Sequence, residues 1–318
     1  MILDAYGHVS LPRFLSAGEY LKVMDENGVE KAMICTAETC PDLAELSRAA
    51  VMHGGRFRCA GLPLGESAAE IEEGVEAQME AGFIGIRIPD SLIASQPSVL
   101  DVLGRKGGVP FVVGAGGFPS AAGRLLEFLD KFPEALVFGP HFAGPGDPGA
   151  ISADRDVGRL FDHPRFMVIF SRHGAFDGER LAAWARAVVA RVGWGRVMYG
   201  SEYPVALYRD ETYASTVSWI DRSGLSPGPD EREAFLRGNA RKTIFSRPVR
   251  KAELLDKRWC RMDLRREAPV WLFGGRALDV PETAHRRMLT AYLERGGEKS
   301  GGYREFVTEI LMKGMERL

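Results

Sequence analysis

The chain has 318 residues, 45% of them hydrophobic and 26% charged, a composition that excludes the disordered and fibrous classes and leaves a globular protein. Lys and Arg number 41 against 43 Asp and Glu, for a formal charge of -2, so no global basic field favours nucleic acid as a partner. No stretch approaches the roughly 18 consecutive apolar residues of a membrane span, and the opening Met1-Ile2-Leu3-Asp4 has no basic leader region. These features point to a cytoplasmic enzyme with a small-molecule substrate.

In chain order, short β-like runs begin near Ile2, Lys31, Phe57, Phe83, Val109, Ala135, Arg165 and Arg196, about 26 to 31 residues apart. Each step is the length of one βα unit, and strands alternating with helices imply parallel pairing. The intervening helices are legible. The run 70–79 has helical spacing and stops at Gly82, and the run 121–129 ends before Pro133. Eight such units predict an α/β fold of the (β/α)8 TIM-barrel type over residues 1–246. An open sheet for a dinucleotide would want a Gly-rich turn after strand 1, and Ala5-Tyr6-Gly7-His8 is no such turn.

After Phe245 the rhythm stops. Residues 247–318 carry 16 Lys/Arg and 11 Asp/Glu, leaving 25 and 32 in residues 1–246, and they predict a helical C-terminal extension. One helix spans Pro281 to Arg295. A second places Tyr303, Phe306, Val307, Ile310, Leu311, Met315 and Leu318 on one face. That apolar stripe asks for burial on the barrel or on a second copy of the chain, which makes a homodimer through these helices the expected assembly.

In a barrel of this kind, reactive groups lie at the C-terminal ends of the strands. Those ends carry Tyr6 and His8, Glu38, Arg87 with Asp90, Gly114, His141, Ser171 with His173, and Glu202 followed by Tyr203. The four cysteines, Cys35, Cys40, Cys59 and Cys260, contain no C-x-x-C pair, so neither a zinc knuckle nor a disulfide framework is expected. Cys35, in an apolar run, reads as a buried thiol rather than a nucleophile. His53, His163 and His285 read as structural or surface residues. No G-x-S-x-G elbow and no phosphate-binding G-x-x-x-x-G-K-[ST] loop occurs.

Four segments carry a family resemblance. They are Asp4-Ala5-Tyr6-Gly7-His8 on strand 1, Gly139-Pro140-His141-Phe142-Ala143-Gly144 on strand 6, Gly200-Ser201-Glu202-Tyr203-Pro204 after strand 8, and Asn239-Ala240-Arg241-Lys242-Thr243-Ile244-Phe245 downstream. In this order and spacing the chain resembles the amidohydrolase superfamily, in the branch called amidohydrolase family 2. That branch opens D-A-H-x-H, keeps a strand 6 His and ends strand 8 as G-S-D-x-P. Its metal is held by both strand 1 histidines, a strand 5 His, a strand 6 His and the strand 8 Asp.

Here Tyr6 stands in place of the first His, Gly114 in place of the strand 5 His and Glu202 in place of the Asp, while His8 and His141 match. The resemblance therefore implies a degenerate metal site. Either no cofactor is used, as in the 2-pyrone-4,6-dicarboxylate lactonases of this fold, or a single divalent zinc is held by His8, His141 and Glu202. The expected activity is hydrolysis of a lactone, amide or related bond in a small carboxylated substrate. In this reading His141 or Glu202 is the base, His8 and Tyr6 stabilise an oxyanion, and Arg87 clamps a carboxylate. His173, Ser171 and Tyr203 line the substrate pocket. The alternatives are non-oxidative decarboxylation and a barrel that binds a ligand without turning it over.

Overall fold

A computed structural model describes residues 1–11, 13–209, 211–260, 270–273 and 276–316. Eight parallel strands follow one another around a single sheet in sequence order: β1 Ile2–His8, β2 Val29–Cys35, β3 Phe57–Gly61, β4 Gly85–Pro89, β5 Val109–Val113, β6 Val137–Gly139, β7 Phe166–Phe170 and β8 Val197–Tyr199. Each begins within two residues of its position in the sequence reading. The seam between β8 and β1 is bridged just beyond β8. There Glu202 N–H donates to Tyr6 O and His8 N–H donates to Tyr203 O, both at 2.8 Å. The result is a nearly closed (β/α)8 barrel with helices between its strands.

Alternation divides the strand residues between two cores. Leu3, Met33, Ala60, Val109, Phe111, Phe138, Ile169 and Met198 fill the barrel interior. Ile34, Ile86, Val112, Val168 and Phe170 face outward under the helices. The outer helices start where the chain supplies caps. Ser16 accepts from Glu19 N–H at the head of Ala17–Glu26, and Ser67 does the same for Glu70 at the head of Ala68–Glu80. Downstream, the chain is helical from Pro229 to Phe245, with two π-helical stretches. Its Ala240, Ile244 and Phe245 pack onto the interior cluster. Asn239 fixes that helix by donating to Trp194 O and Val197 O, both at 2.7 Å, at the start of β8. The Asn-Ala element of the sequence is thus a plug for the barrel.

One local feature explains how Tyr6 and His8 share the mouth as the sequence reading has them, and a second departs from that reading. Strand β1 carries a register shift between Asp4 and Gly7 against β2. Strict alternation from Leu3 and Ala5 would turn Tyr6 outward, but the shift brings its ring into the interior cluster beside Ala5. Gly7 is required there, since a Cβ would lie 2.1 Å from the Tyr20 hydroxyl. The extension also contains an antiparallel hairpin, β9 Val270–Phe273 with β10 Arg276–Asp279, before its helices Glu282–Glu294 and Tyr303–Met315. The hairpin is absent from the sequence reading, because the two helical stripes that follow it dominate the pattern of the extension.

The extension is anchored to the barrel. Leu255 N–H donates to Ser47 Oγ at 2.7 Å, Arg258 pairs with Glu73 at 2.9 Å, and Arg286 pairs with Glu19. On the last helix Tyr303, Phe306 and Val307 are buried, whereas Ile310, Leu311 and Met315 are exposed. Only the first half of the anticipated stripe is therefore covered within the chain, and Leu318 lies outside the described residues. No helix among the described residues is long and apolar enough to cross a membrane.

Candidate active site

The C-terminal ends of β1, β4, β6 and β8 bring five polar side chains together. Tyr6 is the hub. Its ring meets His8 edge-on at 5.2 Å between centroids and His141 at 5.1 Å. Its hydroxyl accepts from Arg87 Nε–H at 3.0 Å. His141 Nε2 lies 3.7 Å from Glu202 Oε1. All but Arg87 are buried, and Arg87 remains partly accessible.

The backbone delivers two of these groups at a conformational cost. His141, Phe142 and Ala143 are consecutive residues with φ of 54°, 59° and 57°, and Glu202 has φ 54°. Left-handed backbone disfavours L-residues by roughly 1–2 kcal/mol each, and such outliers concentrate where a site over-determines them. Here the turn after β6 is held by Trp184 Nε1–H donating to Phe142 O at 2.7 Å, and by the Phe142 ring stacked on Phe170 at 4.3 Å. The effect is to swing His141 back over the barrel axis.

A neighbour sets the tautomer of His141. Ser171 Oγ accepts from His141 N–H at 3.0 Å and lies 3.1 Å from His141 Nδ1. Nδ1 is the acceptor in reach of the Ser171 O–H among the described residues, so the hydroxyl donates there, which puts the ring proton on Nε2, facing the Glu202 carboxylate. Cys35 Sγ lies 3.5 Å from His8 Nδ1. The thiol also reaches Gly7 O at 3.6 Å, and His8 Nε2 is buried without a partner among the described residues. The Cys35 thiol is no nucleophile, since burial pushes its pKa up to about 12.

Charge in the mouth is dominated by arginine. Arg209 Nη2 is 2.5 Å from Glu202 Oε2, and its Nε donates to Glu211 Oε2 at 3.0 Å. Arg172 Nε is 3.9 Å from Glu202 Oε1, and Arg87 Nη1 is 3.6 Å from Glu38 Oε1. Burial first, and then these cations, hold His8 and His141 well below the usual imidazole range, so both are neutral near pH 7. Burial raises the Glu202 pKa, while Arg209 and Arg172 pull it back.

Of the other residues singled out in the sequence, Ser171 is part of this constellation through His141. His173 is buried in an aromatic box, edge-on to Phe142 at 5.3 Å, tilted against Trp219 at 5.2 Å and stacked on Tyr199 at 6.3 Å. Tyr203 packs with Tyr20 and Tyr213 on the outer side of the barrel. Neither is brought to the Tyr6 hub by these contacts. Arg209 and Glu211 were missed, and Arg172 was passed over beside Ser171 and His173. An arginine ten residues past a strand carries no local signal, and only the return of that loop over the mouth reveals Arg209.

The donor set does not fit the metal implied by the family resemblance. The Tyr6 oxygen is engaged by Arg87, and Glu202 is engaged by Arg209. At Gly114 a Cβ would lie 2.4 Å from Asp90 Oδ2, so the space for a strand 5 ligand is filled by the Asp90 carboxyl. Among the described residues no three His, Cys, Asp or Glu side chains are placed to share an ion.

Comparison with known proteins agrees with the motif reading at the level of family and fold. The sequence profile of the amidohydrolase family matches residues 2–245. Among solved structures, the chain is similar to the 2,6-dihydroxybenzoate decarboxylase from Rhizobium, with a TM-score of 0.56 and 13% identity over 76% of this chain and 98% of that one. It is similar to a Pseudomonas putida protein assigned as a 2-pyrone-4,6-dicarboxylic acid hydrolase, with a TM-score of 0.58 and 19% identity over 78% and 98%. It is also similar to a zinc-bound amidohydrolase from Burkholderia multivorans, with a TM-score of 0.58 and 14% identity over 76% and 98%. At these identities the likeness is one of fold. No curated protein sequence matches the chain.

Proposed function

The chain belongs to the amidohydrolase family, whose members include hydrolases and decarboxylases, and from that premise we propose that it hydrolyses a lactone, amide or related acyl bond in a small carboxylated substrate, without a metal. The observation that carries this reading is the convergence of a His–carboxylate pair, His141 and Glu202, with two hydrogen-bond donors, Tyr6 and His8, and a guanidinium, Arg87, on one barrel mouth.

The roles follow from which atoms are committed. Glu202 Oε2 is held by Arg209, so Oε1 takes the proton from the attacking water. A carboxylate raised by burial suits that task. The carbonyl oxygen gains negative charge as water adds. Tyr6, whose oxygen accepts from Arg87 and whose hydroxyl also meets the Cys35 thiol, turns its O–H to that carbonyl oxygen, and His8 donates from Nε2. As the bond breaks, the Glu202 carboxyl returns the proton it took from water to the leaving oxygen or nitrogen, and His141 Nε2–H, 3.7 Å from Oε1, steadies the carboxylate that remains. Arg87 Nη groups hold the substrate carboxylate, with Glu38 as their partner in the free protein.

The test is a panel of small lactones, amides and hydroxybenzoates, each bearing a carboxylate. Wild-type protein turns over a lactone or amide member, and Glu202→Gln and His141→Ala each lower kcat by about 10²–10⁴-fold while ligand Kd stays within a few-fold. Carbon dioxide release from a hydroxybenzoate would reassign the site to decarboxylation. Tight binding with no turnover across the panel would make it a binding barrel.

A further inference from the structure

The strand 8 carboxylate of this barrel already has a cation. Arg209 follows β8 by ten residues, and the turn Val205–Arg209 folds back over the mouth. The turn is fixed from outside, because Tyr208 donates to Arg13 O at 2.7 Å and lies 3.0 Å from His285 Nε2 of the extension. The guanidinium thereby bridges two carboxylates, Glu202 at 2.5 Å and Glu211 at 3.0 Å. Its side chain is only 18% exposed and that of Glu202 only 5%. A buried charge pair of this kind costs desolvation and is weak evidence for stability, so its retention calls for a role.

We propose that Arg209 is a built-in replacement for a divalent cation at Glu202, excluding metal from the mouth by occupying the carboxylate and by charge repulsion. Three independent placements agree. Arg209 takes Glu202 Oε2 with Arg172 3.9 Å from Oε1, Arg87 takes the Tyr6 oxygen, and the Asp90 carboxyl fills the space beside Gly114. A guanidinium differs from a metal in a useful way. It is permanently charged, cannot be chelated away, and presents several N–H donors in a fixed plane. Arg209 is a positioning residue in this scheme, acting on substrate through Glu202. The inference rests on the mouth assignment above, but its test needs no substrate.

Zinc and manganese uptake are measured on the full-length protein by calorimetric titration, and by elemental analysis after dialysis, for wild type, Arg209→Met, Arg209→Lys and Arg209→Met/Glu202→Gln. Arg209→Met frees Glu202 beside His141 Nε2, with His8 Nε2 in the same mouth, and binds zinc at least tenfold more tightly than wild type. Arg209→Lys keeps the charge and stays as zinc-poor as wild type. The double variant loses the gain. Wild-type protein holding one equivalent of zinc as tightly as Arg209→Met overturns the proposal, as does a gain that survives Glu202→Gln. Should Arg209→Met fail to fold, Arg209→Gln carries the same prediction, and the wild-type titration decides on its own if a full equivalent is retained. Loss of turnover in the Glu202 and His141 variants is read separately, so failure of the hydrolase assignment leaves the metal result standing.

Discussion

Asp4 shows how much one side chain can organise. Its carboxylate is fully buried outside the barrel wall and accepts from Tyr6 N–H and Ser201 N–H, both at 3.0 Å, from Ser201 Oγ–H at 2.6 Å, and from the hydroxyls of Tyr20 and Tyr213. These donors come from β1, the β8 turn and two surrounding helices, so Asp4 ties the seam where the barrel closes. Burial raises its pKa against those hydrogen bonds. Asp4→Ala strands three buried hydroxyl groups and costs about 3–5 kcal/mol, to be read as a lower denaturant midpoint. A loss under 1 kcal/mol would show that the seam is held elsewhere. The first letter of the strand 1 motif is therefore structural. The motif is visible in the sequence but the partners of this residue are not, because four of the five donors lie on elements that only the folded barrel brings to β1.

At the scale of elements, the C-terminal extension is coupled to the loop that carries Arg209. Both Glu298 oxygens accept from Tyr213 N–H, at 2.7 and 2.9 Å, at the head of the short helix Tyr213–Val217. Burial pushes the Glu298 pKa up to about 7 from an ordinary 4.5, with Glu26 adding in the same direction. The folded state thus binds this proton more tightly than the unfolded one. Its contribution is complete below about pH 4.5 and is lost as the pH rises through 7. Glu298→Gln cannot ionise, so its Tm relative to wild type rises between pH 5 and pH 8. A constant difference over that range would mean that Glu298 stays ionised throughout. The sequence reading has a helix over Pro281 to Arg295, close to the observed Glu282–Glu294, whereas the Glu298 contact joins residues 85 positions apart and leaves no trace in the pattern.

Over the whole molecule, neutral buried histidines set the acid limit of the fold. His8, His141 and His173 all lie below the usual imidazole range, chiefly through burial, and His173 is held down to about 3. Unfolded chains bind these protons from about pH 6.5 downward. The stability they provide is therefore present above pH 6.5 and is lost as pH falls, at about 1.4 kcal/mol per pH unit for each group. His173→Phe suits the surrounding rings of Phe142, Trp219 and Tyr199 and removes one such proton. Its unfolding free energy declines less steeply than wild type between pH 6 and pH 4, and identical slopes would place the titration elsewhere.

Strand periodicity is enough to give the barrel and the addresses of its chemistry. Strand runs recurring every 26 to 31 residues leave few ways to bury eight apolar strands, and parallel pairing sends every strand end to one face. The tertiary structure alone decided how those ends are used. A register shift in β1 let Ala5 and Tyr6 both face inward, Asp90 filled the space beside Gly114, and the loop after β8 returned Arg209 to Glu202. Periodicity reports which face of an element is apolar. It carries no information on which distant charge will be folded against that face, and in this mouth the charges determine the chemistry.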